Sequence, residues 1–241
     1  DATGVAVDTN IVLTFDESVN VESGNITLKK SSDNSTVESI DVTSSLVTGT
    51  GTTTITINPT TTLDSLTTYY LNIDTTAFDD SSGNSYAGIT NTTTLDFTSA
   101  DTDAPTLSSS TPSDDATGVA VDTNIVLTFD ESVNVESGNI TLKKSSDNST
   151  VESIDVTSGL VTGSGTNQIT INPTATLDSL TTYYLNIDAT AFDDGSGNSY
   201  AGISDATTLN FTSADVDAPT LSSSTPSDDA TGVAVDGNIV L

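Results

Sequence analysis

Five residue types are missing from this 241-residue sequence: cysteine, histidine, methionine, tryptophan and arginine. Without cysteine there is neither a disulfide staple nor a thiolate nucleophile. Without histidine the commonest general base is gone, and without arginine so is the planar clamp for carboxylate and phosphate groups. The cations are four lysines, Lys29, Lys30, Lys143 and Lys144, set against 34 Asp and Glu for a formal charge of -30. Such a surface repels nucleic acid and anionic lipid and attracts cations. No apolar run approaches the roughly 20 residues of a membrane helix, so no membrane insertion is expected. Paired carboxylates of the kind glycosidases use do remain. A module of about 110 residues leaves little room for a substrate cleft, however, and the expectation is a protein that is not an enzyme.

What the sequence does contain is strand-forming. Acidic chains that stay disordered are poor in β-branched and aromatic residues, whereas Val, Ile and Thr recur here in patterned runs. Six of the 34 acids are glutamates (Glu17, Glu22, Glu38, Glu131, Glu136 and Glu152), which leaves 34 less 6, or 28, aspartates. Short carboxylates held in turns suit Ca²⁺.

The octapeptide beginning at Asp1 returns at Asp115 and again at Asp229, a period of 114 residues that makes each repeat a whole domain. Residues 1 to 100 and 115 to 214 differ at 11 positions, among them Ser45 to Gly159, Thr54 to Gln168, Asn91 to Asp205 and Asp96 to Asn210. Proline fixes the backbone at Asp101-Thr102-Asp103-Ala104-Pro105 and at the matching Asp215-Val216-Asp217-Ala218-Pro219, which marks the seams. The expected domains are 1–102, a module without its first strand; 103–216, a complete module; and 217–241, the start of a third. In the complete module seven runs read as strands, beginning at Thr106, Asn124, Asn139, Ser149, Gln168, Thr182 and Thr207. Ile125, Leu127 and Phe129 alternate with Val126 and Thr128, the two-residue period of a sheet with one buried face. The expected fold class is all-β: tandem immunoglobulin-like seven-stranded antiparallel β-sandwiches.

Three segments, PSDDATGVAVDTNIVLTFDESV, TTYYLNIDATAFDDGSGNSYAGI and the closing TTLNFTSA, resemble the bacterial Ig-like domain of the S-layer SbsA type. The resemblance covers every complete repeat. It implies a place in a long tandem array of a bacterial surface protein, outside the cell. Similar calcium-dependent modules build the extender regions of large repeats-in-toxin adhesins.

Tracing seven strands up and down brings the Asp130-Glu131-Ser132-Val133 loop and the Asp193-Asp194 to Asn198 loop back to the end where the linker enters with Asp101 and Asp103. Carboxylates so concentrated repel one another unless a cation binds, and Ca²⁺ takes six to eight oxygen ligands. The expected metal ligands are therefore Asp101, Asp103, Asp130, Glu131, Asp193, Asp194 and Asn198. The equivalent set in the first module is Asp16, Glu17, Asp79, Asp80 and Asn84, and Asp215 and Asp217 serve the following junction. Adjacent modules of the same chain are the expected partners, with calcium as the cofactor and a spacer or extender as the function. No segment has the alternate acids and closing Glu of an EF-hand loop.

Three other readings compete. Asp, Asn and Gly dominate turns for backbone reasons alone, so the acids can be read as solvated turn residues. Tyr70, Tyr86 and Tyr200 could stack on sugars in a carbohydrate-binding module. The segment from 217 carries the strand that the first module lacks, and end-to-end strand donation would then build a filament.

Overall fold

The computed structural model describes residues 2–240. Contacts divide the chain into two units, Asp1–Ala104 and Pro105–Leu241. The first unit contains β1 (Ala2–Val5), β2 (Ile11–Val21), β3 (Asn25–Lys30), β4 (Thr36–Asp41), β5 (Val47–Thr48), β6 (Thr52–Ile57), β7 (Thr68–Ile73), β8 (Phe78–Asp80) and β9 (Asp96–Ser99). One of its sheets runs β1-β9-β7-β3-β4 and the other β5-β6-β2-β8. The second unit contains β10 (Leu107–Thr111), β11 (Ala116–Val119), β12 (Ile125–Val135), β13 (Asn139–Lys144), β14 (Thr150–Asp155), β15 (Val161–Thr162), β16 (Thr166–Ile171), β17 (Thr182–Ile187), β18 (Phe192–Asp193) and β19 (Asn210–Ser213). Its sheets run β11-β19-β17-β13-β14 and β10-β12-β16-β15, with β18 also paired to β12.

The period of two explains the layering. Along β12 the side chains of Ile125, Leu127 and Phe129 are buried and those between them are half-buried. In the facing sheet Ile140 and Leu142 on β13, and Tyr183, Leu185 and Ile187 on β17, enter the same core. Each of these large side chains contributes about 1.5–3 kcal/mol by leaving water. Across the sheet, Ile125 stands opposite Ile171 and Leu127 opposite Ile169, so a one-residue slip would expose the whole row. The first unit repeats the arrangement with Ile26, Leu28, Ile55, Ile57, Leu71 and Ile73. The described residues contain no α-helix, and the all-β sandwich expected from the sequence is what the chain forms.

Three features add to the expected pattern. The Ala116–Val119 segment, which reads as a turn, is a strand that pairs parallel with β19, and Ala2–Val5 pairs parallel with β9. Each sandwich therefore has one parallel pair among antiparallel ones. The two-residue β15 and β18 are too short to show a period. Finally, Asp130 to Val133 lies inside β12 and does not form an end loop. Between Thr128, opposite Gln168, and Val133, opposite Thr166, the register shifts by a wide bulge that lets Asp130 face solvent and returns Val133 to the core. Beyond the bulge the strand takes β18 as its partner. Asp16 and Glu17 occupy the same bulge in β2.

After β19 the segment from Asp215 is exposed along most of its length, with Leu221 at 67% and Ile239 at 75%. Among its described residues an isolated bridge joins Thr225 and Val240.

Candidate functional site

In the second unit the acidic loop is built on Asp194. Its Oδ1 accepts the backbone N–H groups of Ser196 and Asn198, both at 2.8 Å, and its Oδ2 accepts the Asn198 side-chain amide at 2.7 Å. Gly197, at φ +88°, supplies the left-handed turn that lets the chain close on the carboxylate. The result is a five-residue loop wound round an anion that is only 3% exposed. Burial pushes the Asp194 carboxyl up. The Asn198 amide and the N–H groups of Asn198, Ser196 and Gly197 outweigh it, and the pKa falls below the usual carboxylate value. Asp193, half-buried on β18, stands opposite Asn134 of β12.

The first unit holds the same loop in a more open setting. Asp80 Oδ1 accepts from Ser82 and Asn84 at 2.8 Å and its Oδ2 from the Asn84 amide at 2.7 Å. The Asn84 side chain is the main reason that the Asp80 carboxyl also sits below its ordinary value. Asp16, Glu17, Asp80 and Asn84 line one open groove whose apolar wall includes Phe15 and Tyr86. Four of the five residues expected as the metal set of this unit thus meet around one space. The fifth, Asp79, lies on β8 opposite Asn20.

Asp130 is engaged differently. Its Oδ1 accepts the Thr106 N–H and its Oδ2 the Thr106 hydroxyl, each at 2.7 Å, while its own N–H donates to the Thr106 carbonyl at 3.0 Å. The Thr106 backbone and hydroxyl hold the Asp130 carboxyl below its usual value. This pairing pins the start of β10 to the bulge of β12. No signal in the sequence marks it, since the partners are 24 residues apart. Glu131, next in the chain, is half-buried.

The linker aspartates are locked by the same device at both seams. Asp101 Oδ1 accepts the Ser65 hydroxyl at 3.1 Å and the Asp103 N–H at 3.2 Å, while the Thr102 N–H donates to Ser65 Oγ at 2.9 Å. At the second seam Asp215 Oδ1 accepts the Ser179 hydroxyl at 3.3 Å and the Asp217 N–H at 3.1 Å, and the Val216 N–H donates to Ser179 Oγ at 3.0 Å. The serine loop is itself fixed from the core: buried Ser99 donates to the Asp64 carbonyl at 2.6 Å and accepts the Thr67 N–H at 2.9 Å. Asp101 is half-buried, and Asp103, Asp215 and Asp217 are exposed.

Residues weighed for other roles have structural partners. Tyr70 and Tyr200 are 3% and 7% exposed, and Tyr200 packs edge-on against Phe129. Lys30 and Lys144 pair with Asp64 and Asp178, and Lys143 lies over the Tyr184 ring. Glu38, which sequence reasoning passed over, clamps the Thr60–Thr61 backbone, and Glu152 does the same at Thr174 and Ala175.

No curated protein matches the chain. Among solved structures it is similar to the BSP domain of a biofilm-associated protein, at 14% identity and TM-score 0.25 over 90% of this chain and 29% of that one. It is also similar to the extracellular domains 3–5 of Drosophila OTK, at 8% identity and TM-score 0.26 over 89% of this chain and 62% of that one. The chain spans less than two thirds of either protein, and at such TM-scores neither likeness bears on function. The model of the bacterial Ig-like domain matches residues 1–99 and again residues 101–213. With the three motifs, the paired sheets and two matches that cover nearly its whole length, the chain belongs to the bacterial Ig-like domain family.

Proposed function

We propose that the chain is an extender segment of a bacterial surface protein, outside the cell, whose consecutive modules are held in line by Ca²⁺ at their junctions. The observation that carries the reading is the carboxylate loop at Asp80 and Asp194, formed the same way in both modules and held in place by its own N–H groups. Preorganised anions lower the cost of ordering ligands when a cation arrives. Like any aspartate with a pKa at or below the usual value they are ionised at neutral pH, so calcium need not displace protons. In this reading Asp101 and Asp103 of the linker complete the set formed by Asp130, Glu131, Asp193, Asp194 and Asn198. Asp215 and Asp217 act in the same way toward a following module, and Asp16, Glu17, Asp79, Asp80 and Asn84 toward a preceding one.

The function is mechanical. Linkers between like-charged modules bend freely when bare, and a bridging cation restrains them. Extracellular modules bind Ca²⁺ at about 10⁻⁴ to 10⁻³ M, so stiffening would follow export. Calorimetric counting of bound Ca²⁺ tests the reading: at least one site in the 10⁻⁴ to 10⁻³ M range is expected, weakened in Asp103→Ala. A chain that binds no calcium at millimolar concentration would sink it.

A further inference from the structure

A parallel pair joins the two ends of each module. In the second module β11 is the edge of its sheet and lies against β19, with Ala116 opposite Phe211 and Val119 opposite Ser213. The Asp115 N–H donates to the Asn210 carbonyl at 2.8 Å and the Ala214 N–H to the Val119 carbonyl at 2.7 Å, so the pair is closed at its start and at its finish. Just ahead of it, Asp114 Oδ1 accepts the backbone N–H of Asn210 at 3.0 Å and the Asn210 side-chain amide at 2.9 Å. Phe211 is 1% exposed, and Ala116 and Val119 pack against the same core, so sliding one strand along the other drags apolar groups out of place. The first module repeats the pairing, with Ala2 opposite Phe97 and the Ala100 N–H on the Val5 carbonyl at 2.7 Å.

The parallel direction decides what tension does to these bonds. In a chain loaded along its length, the pull on the second module enters ahead of β10 and leaves after β19. Strand β11 is then drawn toward its start and β19 toward its finish. Because the two run the same way, the forces oppose each other along the strand axis, and all the bonds of the pair are sheared together. An antiparallel pair would bring entry and exit to one end, where the bonds would peel apart singly. Stripping β10 from β12 does not relieve the pair, since the pull is then carried straight to the start of β11. We propose that the β11–β19 pair is the force-bearing clamp of the module, with Asp114 and Asn210 as its latch. The inference takes from the extender reading only that tension acts along the chain, and it needs no calcium.

The test stretches single molecules of the full chain in chelator, so that a failure of the calcium junction leaves the result untouched. The sequence has no cysteine, and handles can be placed at will. Ala104→Cys with Val216→Cys loads the second module through its two ends, whereas Ser113→Cys with Thr208→Cys loads β11 and β19 at their starts and peels them. All four positions are exposed. The end-loaded module should break at the clearly higher force. Forced unfolding reports the unfolding rate under load, and Asp114→Ala should raise that rate about tenfold in the end-loaded geometry, as expected for the hydrogen bonds it removes. The matched control is Asp155→Ala on β14, at the opposite edge of the sheet, which takes two hydrogen bonds from Thr157. It should lower stability in denaturant and leave the end-loaded rate where it was. Forces that are equal in the two directions, or higher in the peeling one, overturn the clamp. So does an end-loaded rate that Asp114→Ala leaves unchanged, or that Asp155→Ala raises as much.

Discussion

The two modules differ at 11 of 100 aligned positions, none of them within β2 or β12, yet the same side chains meet different fates. Ile125, Leu127 and Phe129 are no more than 2% exposed, whereas Ile11, Leu13 and Phe15 are only half-buried. Tyr200 and Leu209 are buried where Tyr86 and Leu95 are not. Strand β10 accompanies the difference, bringing Leu107 to the core and Thr106 to Asp130. Burial is thus a property of the neighbouring strand as much as of the residue, and five residues of edge strand decide whether an immunoglobulin-like sheet is finished.

The largest effect that can sharpen this contrast comes from the core. Phe129→Ala should destabilise the second module by about 3–5 kcal/mol, as expected for a fully buried phenylalanine, and Phe15→Ala should cost the first module clearly less. Residue-resolved hydrogen exchange on the intact chain reads the two separately. Equal losses would mean that the open edge of β2 is covered in solution.

Next in size is the anchor of β10. Thr106→Val removes the hydroxyl donor to Asp130 while the backbone N–H stays, and should cost the second module about 1 kcal/mol, leaving the first module unchanged. Amide exchange at Leu107 to Thr111 should rise with it. A null result in those amides would show that the hydroxyl adds nothing to the backbone pairing of Thr106 with Asp130.

The smallest effect is a difference in acid response. Glu38 and Glu152 clamp their loops alike; burial pushes both carboxyls up, but the N–H donors outweigh it and both lie below the usual value. Asp205 has no such twin, because the first module carries Asn91 there. The backbone N–H of Thr207, helped by Thr208 and both hydroxyls, lowers the Asp205 carboxyl far below its ordinary 3.8. A folded-state pKa below the unfolded one gives stability that is present above the unfolded value and lost as pH falls through it toward the folded one. Below pH of about 4 the second module should therefore weaken slightly more than the first, and Asp205→Asn should reduce the excess and leave the part due to Asp130, which Thr106 holds below its usual value. An acid titration followed by hydrogen exchange in both modules checks the sign.

The long strands were legible because Ile, Leu and Phe at every second position state both the element and its inward face, as in β2, β3, β7 and their copies. The short ones were not. Ala116–Val119 carries a glycine and too few residues for a period, and its partner β19 lies at the far end of the module's sequence. Asp130-Glu131-Ser132 reads as a turn because it is polar; in the sheet it is a bulge, and the sign of that was Val133 returning to the core. Of the candidate site, the stretch from Asp193 to Asn198 reads as a loop in the sequence, while the hydrogen bonds that wind it round Asp194 come from the fold. The hydrogen bonds of Thr106 to Asp130 and of Ser65 to Asp101 join residues distant in sequence, and only the fold brings them together.

The measurement that bears most directly on the extender reading is small-angle scattering of the intact chain with millimolar Ca²⁺ and again with chelator. Calcium should lengthen the particle and narrow its distribution of distances, and Asp103→Ala should blunt the change. Identical profiles under the two conditions would contradict a metal-stiffened junction.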